Sequence, residues 1–448
     1  MTFSSLPFLF FFFPVVMLLY FAVPGKLKNP VLLIGSLAFT LWGSPRYLPL
    51  ILFTVLMFYG CGLAIAKAEN PKWKKTFMIF AVALSMALLA LFKVLVETPV
   101  SIALPIGISF YTFRGISYVV DIHRGKVEPE KNVLTFSTFL LMFPVMMFGP
   151  IVRYTDLSAA FQKRQHSWEN FFLGLRRFII GLAKSVILGG NFLLMGTFLK
   201  DSADPSVLFY WLYAFALLLY VYFDCSGCAD QAIGIGRMMG FTFVEDFNYP
   251  YVSLSAQEFW RRWRMSLASW FKDYMYIPLG GNRVSKPRWV LNTLAIWAFT
   301  GLWHGFKLTY VLWGLMFALL LMFEKWVPAF KELPAIVRRI YLIFVLTVSF
   351  VLFAAPDLAT AGQYLGSMFG LCGLPFVSAE ALFHLRSTAL LFVVGIIGVT
   401  PVVRNVALRI ENTKAGKVLG ILVPVILLLV CVGYLVSGGD IGNLYADF

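Results

Sequence analysis

The chain has 448 residues, 60% of them hydrophobic and only 13% charged, where soluble domains carry about a quarter charged residues. This balance excludes a soluble enzyme or binding module and predicts a chain that sits in lipid. Its net charge of +15 reads as Lys- and Arg-rich cytoplasmic loops facing membrane lipid, with no case for nucleic acid as a partner.

Crossing ~30 Å of hydrocarbon takes roughly 20 predominantly apolar residues in a helix. Such stretches fall at about 3–24, 46–66, 76–96, 100–120, 170–199, 206–223, 289–304, 306–323, 339–355, 388–403 and 418–437. They are continuous and lack the period-two alternation of barrel strands, so helices are expected. The fold class is therefore an all-α polytopic membrane protein with about 11 transmembrane helices, counted from these stretches. The first stretch holds Phe8 to Phe13 but lacks a basic leader and a small-residue cleavage site, so it reads as a retained helix.

Two shorter pieces, 30–42 and 133–150, are ambiguous. If 30–42 crosses, the clusters Lys26/Lys28, Lys67/Lys72/Lys74/Lys75 and Arg124/Lys126/Lys131 share one side and Met1 lies on the other. The second piece ends in "FPVMMFGP", whose Pro144, Gly149 and Pro150 suit a re-entrant hairpin buried in protein. A further crossing that violates the charge rule is the alternative. Further on, "CSGC" at Cys225 and Cys228 could be a redox pair, but no thioredoxin-like pattern surrounds it, and small core-facing residues on adjacent turns fit as well.

Residues 242–288 form the longest polar interruption. Ser255 with Glu258 three residues on makes a capping box, and Trp260, Trp263, Leu267, Trp270/Phe271 and Tyr274 recur at helical spacing. Arg261, Arg264 and Lys272 fall largely on another face. The segment 255–275 is thus expected to be one basic amphipathic helix with a tryptophan stripe. It would lie in the headgroup plane or pack across the bundle with its charges on a wet cavity. Gly280 and Gly281 allow a tight turn after it. A third interruption, 357–387, predicts one or two surface helices.

Of four histidines, only His304, in "FTGLWHG", lies beside a long apolar run. It could be a satisfied core residue. An ionisable group at membrane depth is costly, however, so function is the default hypothesis. Gly301 and Gly305 around it would leave room for a ligand. A neutral imidazole can take a proton from a hydroxyl or thiol during acyl transfer. With no nucleophilic serine motif and no metal-ligand set in the sequence, direct transfer through a general base is the simplest chemistry.

Three longer stretches carry a resemblance. "YFDCSGCADQAIGIGRMMGF", "FNYPYVSLSAQEFWRRWRMSLASWFKDYMYIPLGGNR" and "FTGLWHG" resemble the membrane-bound O-acyltransferase family, in particular its bacterial branch of alginate O-acetyltransferase membrane subunits. "LPIGISFYTFRGISYVVDIHRG" and "MMFGPIVRY" match as well, so the resemblance covers roughly 100–320. The chain then reads as a single integral membrane domain, 1–448, with its motif-bearing core at about 100–320.

The resemblance implies tilted helices around a central tunnel, with re-entrant and amphipathic helices reaching the site. It implies no bound cofactor, acetyl-CoA as acyl donor on the cytoplasmic side, and an acceptor outside a bacterial cell membrane. The family's essential histidine maps onto His304 as catalytic base. Arg261, Arg264, Asp273 and Asn282 in the long motif, with Trp303 beside the histidine, become the candidates for binding substrate or donor. Bacterial members commonly read R-R-W-H where this chain reads R-R-W-R. Arg264 cannot act as a base, but it can bind an anion or stabilise an oxyanion.

No soluble stretch reaches the ~50 residues of an independent domain. A bulky polymer acceptor therefore implies a partner, either a separate extracytoplasmic acetyltransferase or an acceptor protein. Two alternatives stay open. A transporter or channel would use intramembrane acids such as Asp224 and Asp230, though the inverted repeats it calls for are not evident in the sequence. A catalytically impaired scaffold of the same family is suggested by Arg264.

Overall fold

The computed structural model describes residues 1–98, 102–200 and 202–438, and among these every regular element is helical. The chain forms two compact units, Met1–Ile179 with Cys228–Glu245, and Ile180–Gly227 with Asp246–Phe448.

The first unit holds α1 (Phe13–Ala22), α2 (Lys28–Leu41), α3 (Leu48–Lys67), α4 (Pro71–Val96), α5 (Ile108–His123), α6 (Val133–Leu141) and α7 (Tyr154–Gln162). Then come α8 (Trp168–Ala183), α9 (Gly190–Lys200) and α10 (Val207–Met238), of which α8 and α10 give residues to both units. The ambiguous piece 133–150 is α6 followed by a tight turn at Phe143–Val145. Asn132 caps it by accepting from the backbone N–H groups of Leu134 and Thr135. Nine residues rise only about 14 Å, so α6 cannot cross hydrocarbon by itself. Its turn is buried in protein instead, with Phe143 N–H donating to Ser36 Oγ at 2.9 Å.

The second unit continues with α11 (Ala256–Arg262), α12 (Met265–Phe271), α13 (Lys286–His304), α14 (Leu308–Trp326), α15 (Ala329–Glu332) and α16 (Ala335–Ala354). It closes with α17 (Leu358–Met368), α18 (Ala379–Gly398), α19 (Val402–Ile410) and α20 (Lys414–Val436). The interruption at 357–387 holds one short helix, α17, in keeping with the expected surface helices, while its end is the start of α18, which is long and apolar enough to span a membrane.

Among the described residues, eight helices are long and apolar enough to span a bilayer. The three other expected stretches differ for separate reasons. The first is a short helix over Phe8–Ala22. The stretch at 100–120 becomes α5, which starts only at Ile108 and buries Arg114 and Asp121. The stretch at 289–304 becomes α13, which carries Lys286, Arg288, Asn292 and Thr293. The protein is a multi-pass membrane protein.

The expectation of one continuous helix over 255–275 is corrected. The backbone breaks at Trp263–Arg264, where Arg264 takes the left-handed conformation at φ 42° and ψ 57°. The hydrogen bonds that a continuous helix would make go elsewhere. Met265 N–H donates to the Asp246 carbonyl at 2.8 Å, and Asn248 N–H donates to the Arg262 carbonyl at 2.9 Å. The preceding irregular segment thus clamps the corner from both sides. A tryptophan stripe at helical spacing hides such a break, because both short helices keep its period.

Candidate active site

The site is built from the corner between α11 and α12 and from the hairpin of α13 and α14. The hairpin is close-packed through two glycines. A Cβ on Gly301 would lie 2.3 Å from the Tyr310 carbonyl oxygen, and one on Gly314 would lie 2.2 Å from that of Trp297. Gly301 therefore serves helix contact, not ligand access, which corrects the sequence reading of that position. The Gly280–Gly281 turn forms as expected, with φ 109° and 56°.

His304 is the last residue of α13, half-buried among aromatic rings. Its ring lies 4.6 Å from that of Trp303, 5.0 Å edge-on from Phe353 and 5.4 Å edge-on from Trp313. These rings face a cavity of about 230 Å³. Trp260, Trp263 and Arg264 line it from the corner, and Lys272 and Tyr276 from the π-helical stretch Lys272–Tyr276 that continues α12. The helix α13 adds Trp297, Thr300, Trp303 and His304, and α16 adds Phe350 and Phe353. The charged lining is Arg264 and Lys272, with the His304 imidazole and the Tyr276 phenol beside them. Such a chamber is a low-dielectric setting in which a proton acceptor and a fixed cation both act strongly.

The corner is held by buried polar side chains. Arg264 is 5% exposed and Asp246 0% exposed, and Arg264 Nε lies 3.6 Å from Asp246 Oδ2. The other Asp246 oxygen accepts from Ser266 N–H at 2.9 Å and Ser266 Oγ–H at 2.6 Å. At the other end of α11, Ser255 Oγ accepts from Glu258 N–H at 3.0 Å, half of the expected capping box. The return contact shifts by one residue, since Glu258 accepts from Leu254 N–H. Burial pushes the Glu258 carboxyl up, but that bond and the Arg262 guanidinium outweigh it and hold the group below its usual value. The first two N–H groups of α11, at Ala256 and Gln257, are taken by Glu324 of α14 at 2.6 and 3.0 Å.

The structure brings His304, Trp303 and Arg264 to one cavity. It places the other candidates outside that lining. Arg261 is exposed on α11, and Asp273 is half-buried in the π-helical stretch that continues α12. Asn282 is exposed but accepts from the Tyr276 hydroxyl at 2.7 Å, and so reaches the cavity through a lining residue. Cys225 and Cys228 are buried thiols, in keeping with a packing role. Asp246 and Glu324 were missed. A charge near the end of an apolar run, as in "LMFEKW", was the available signal for Glu324. For Asp246 nothing in the local pattern stands out.

The helical, multi-pass chain thus presents His304 and Arg264 on one largely aromatic cavity. Residues 37–359 match the membrane-bound O-acyltransferase family. The chain belongs to that family and is an O-acyltransferase. It is 36% identical over 389 residues to "Probable alginate O-acetylase AlgI" of Pseudomonas syringae, covering 82% of this chain and 75% of the relative. It is 29% identical over 424 residues to the peptidoglycan O-acetyltransferase of Helicobacter pylori, covering 83% and 80%. It is also 30% identical over 267 residues to the teichoic acid D-alanyltransferase of Bacillus subtilis, covering 55% and 67%.

Proposed function

We propose that this O-acyltransferase moves an acetyl group from cytoplasmic acetyl-CoA to an extracytoplasmic hydroxyl in the bacterial cell membrane, for O-acetylation of a cell-surface polysaccharide. The observation that carries the reading is the shared chamber of His304 and Arg264 in a chain of this family. His304 accepts the proton of the acceptor hydroxyl as its oxygen attacks the thioester carbonyl. Arg264 stabilises the oxyanion of the tetrahedral intermediate. The carbon–sulfur bond then breaks, and the departing thiolate takes the proton from the imidazolium. Atoms and charge balance without a covalent enzyme intermediate.

The cavity's charge favours acetyl over D-alanyl. A D-alanyl group brings an ammonium, while the cations Arg264 and Lys272 line the chamber without a carboxylate among its lining residues. A polymer is too bulky for a chamber of this size, so a second, extracytoplasmic protein takes the acetyl group and passes it on. The test is the purified full chain in proteoliposomes with acetyl-CoA and polysaccharide, with and without such a partner. CoA release that needs the partner supports the relay. Efficient polymer acetylation by this chain alone removes it, and D-alanyl transfer in place of acetyl transfer removes the donor assignment.

A further inference from the structure

The Arg264 backbone is one of two non-glycine positions with positive φ among the described residues. A left-handed residue is uncommon and, away from Asn and Asp, is kept only where its surroundings over-determine it. Three features over-determine this one. Met265 N–H is tied to the Asp246 carbonyl, Ser266 is tied twice to the Asp246 carboxylate, and the remaining carboxylate oxygen faces Arg264 Nε. A single residue thus ties the two positions after Arg264 by its backbone and one oxygen, and sets the other oxygen within ion-pair range of the guanidinium, 3.6 Å from Nε and without a hydrogen bond to it. In a right-handed continuation of α11, the side chain at 264 would follow the helix surface. The reversed φ sends it instead to the cavity that His304 lines.

We propose that Asp246 is the positioning residue for Arg264. It locks the corner in its left-handed turn and orients the guanidinium so that a fixed cation faces the reacting carbonyl. This rests on the acyl-transfer reading for its kinetic consequence, but not for its geometry. Asp246→Asn is the informative variant. Its amide oxygen still accepts from Ser266, so the turn survives, while the charge that orients Arg264 is gone.

Two measurements on the purified full chain in proteoliposomes test it. The first is a kinetic cycle of Asp246→Asn, Arg264→Ala and the double variant, read as CoA release from acetyl-CoA with the acceptor partner present. Asp246→Asn alone is expected to lower kcat about tenfold with KM little changed, as for partial loss of an oxyanion donor. In the Arg264→Ala background it is expected to change nothing further. An equal loss of kcat in both backgrounds, or no loss in either, overturns the proposal.

The second measurement needs no turnover. Modification of arginines by phenylglyoxal, mapped by mass spectrometry, reads the guanidinium directly, with exposed Arg261 as internal control. Arg264 should react at least several-fold faster in Asp246→Asn, and Arg261 at an unchanged rate. Equal Arg264 rates in wild type and variant overturn the proposal even where acetyl-CoA is turned over. A wild type that releases no CoA even with the acceptor partner present sinks the acyl-donor reading instead, and the modification rates still decide the pairing.

Discussion

The α13–α14 hairpin and the α11–α12 corner both line the chamber, yet different forces hold them. The hairpin is regular helix, packed backbone to backbone through Gly301 and Gly314, and its side of the cavity is aromatic apart from Ile296, Thr300 and His304. The corner is two seven-residue helices joined through a left-handed arginine. It is fixed by two buried carboxylates, Asp246 below the corner and Glu324 at the start of α11. Packing is tolerant of chemistry but not of volume, whereas buried ionised contacts tolerate volume changes but not the loss of a partner. The comparison therefore assigns to the hairpin the placing of a base, and to the corner the placing of a charge.

The largest effect should come at the hairpin's end. His304→Ala and the better-filling His304→Gln should each lower kcat by about 10²–10⁴, as loss of a general base does, while expression and membrane insertion remain. A purified variant keeping more than about a tenth of wild-type turnover would remove His304 from the chemistry and leave the corner as the catalytic half.

Next comes the corner's anchor. Glu324→Ala leaves the N–H groups of Ala256 and Gln257 without their acceptor. Each orphaned donor costs about 1–3 kcal/mol, so about 3 kcal/mol of stability should be lost. Glu324→Gln, which keeps one acceptor, should lose about half of that. Unfolding in detergent measures both. Equal stabilities for the two variants and wild type would show that the corner does not depend on Glu324.

Gly314→Ala probes the hairpin in the same assay. Its Cβ would stand 2.2 Å from the Trp297 carbonyl oxygen, and overpacking of this kind costs about 1–3 kcal/mol. Since α13 must shift away, turnover should fall along with stability. Full activity in this variant would show that His304 is not placed by the close approach of the two helices.

The same contrast explains what could be read in advance. Apolar length marks spans directly, so α3, α4, α10 and α14 were legible, and His304 stood out because a titratable group interrupts such a run. The break at Arg264 was not legible. Trp260, Trp263, Leu267 and Trp270 keep helical spacing across it, and the groups that force the turn come from Asp246, eighteen residues earlier. Arg264 as a cavity residue was found from the motif. Its partner was not, because a carboxylate's value here lies in a tertiary contact that leaves no period in the sequence. Gly301 was misread for the related reason that a small residue can admit either a ligand or another helix, and only the position of Tyr310 decides between them.

The smallest expected effect is the sharpest probe of the corner. Holding a non-glycine residue in the left-handed region costs about 1–2 kcal/mol, a cost that glycine does not bear. Arg264→Gly alone would strand the Asp246 charge, and breaking a buried pair costs about 3–5 kcal/mol. Combining it with Asp246→Asn removes that charge while an amide oxygen still serves Ser266. Against the relieved strain stand the roughly 0.5–1 kcal/mol of extra chain entropy that glycine loses on folding and the lost contacts of the arginine stem. The double variant should therefore unfold within about 1 kcal/mol of wild type, on either side. Its turnover should fall to the level of Arg264→Ala. A protein that keeps its stability and loses its chemistry would mark the strained corner as serving catalysis. A loss of several kcal/mol would instead make Arg264 a structural strut, and corner and hairpin would then differ only in how they hold the fold.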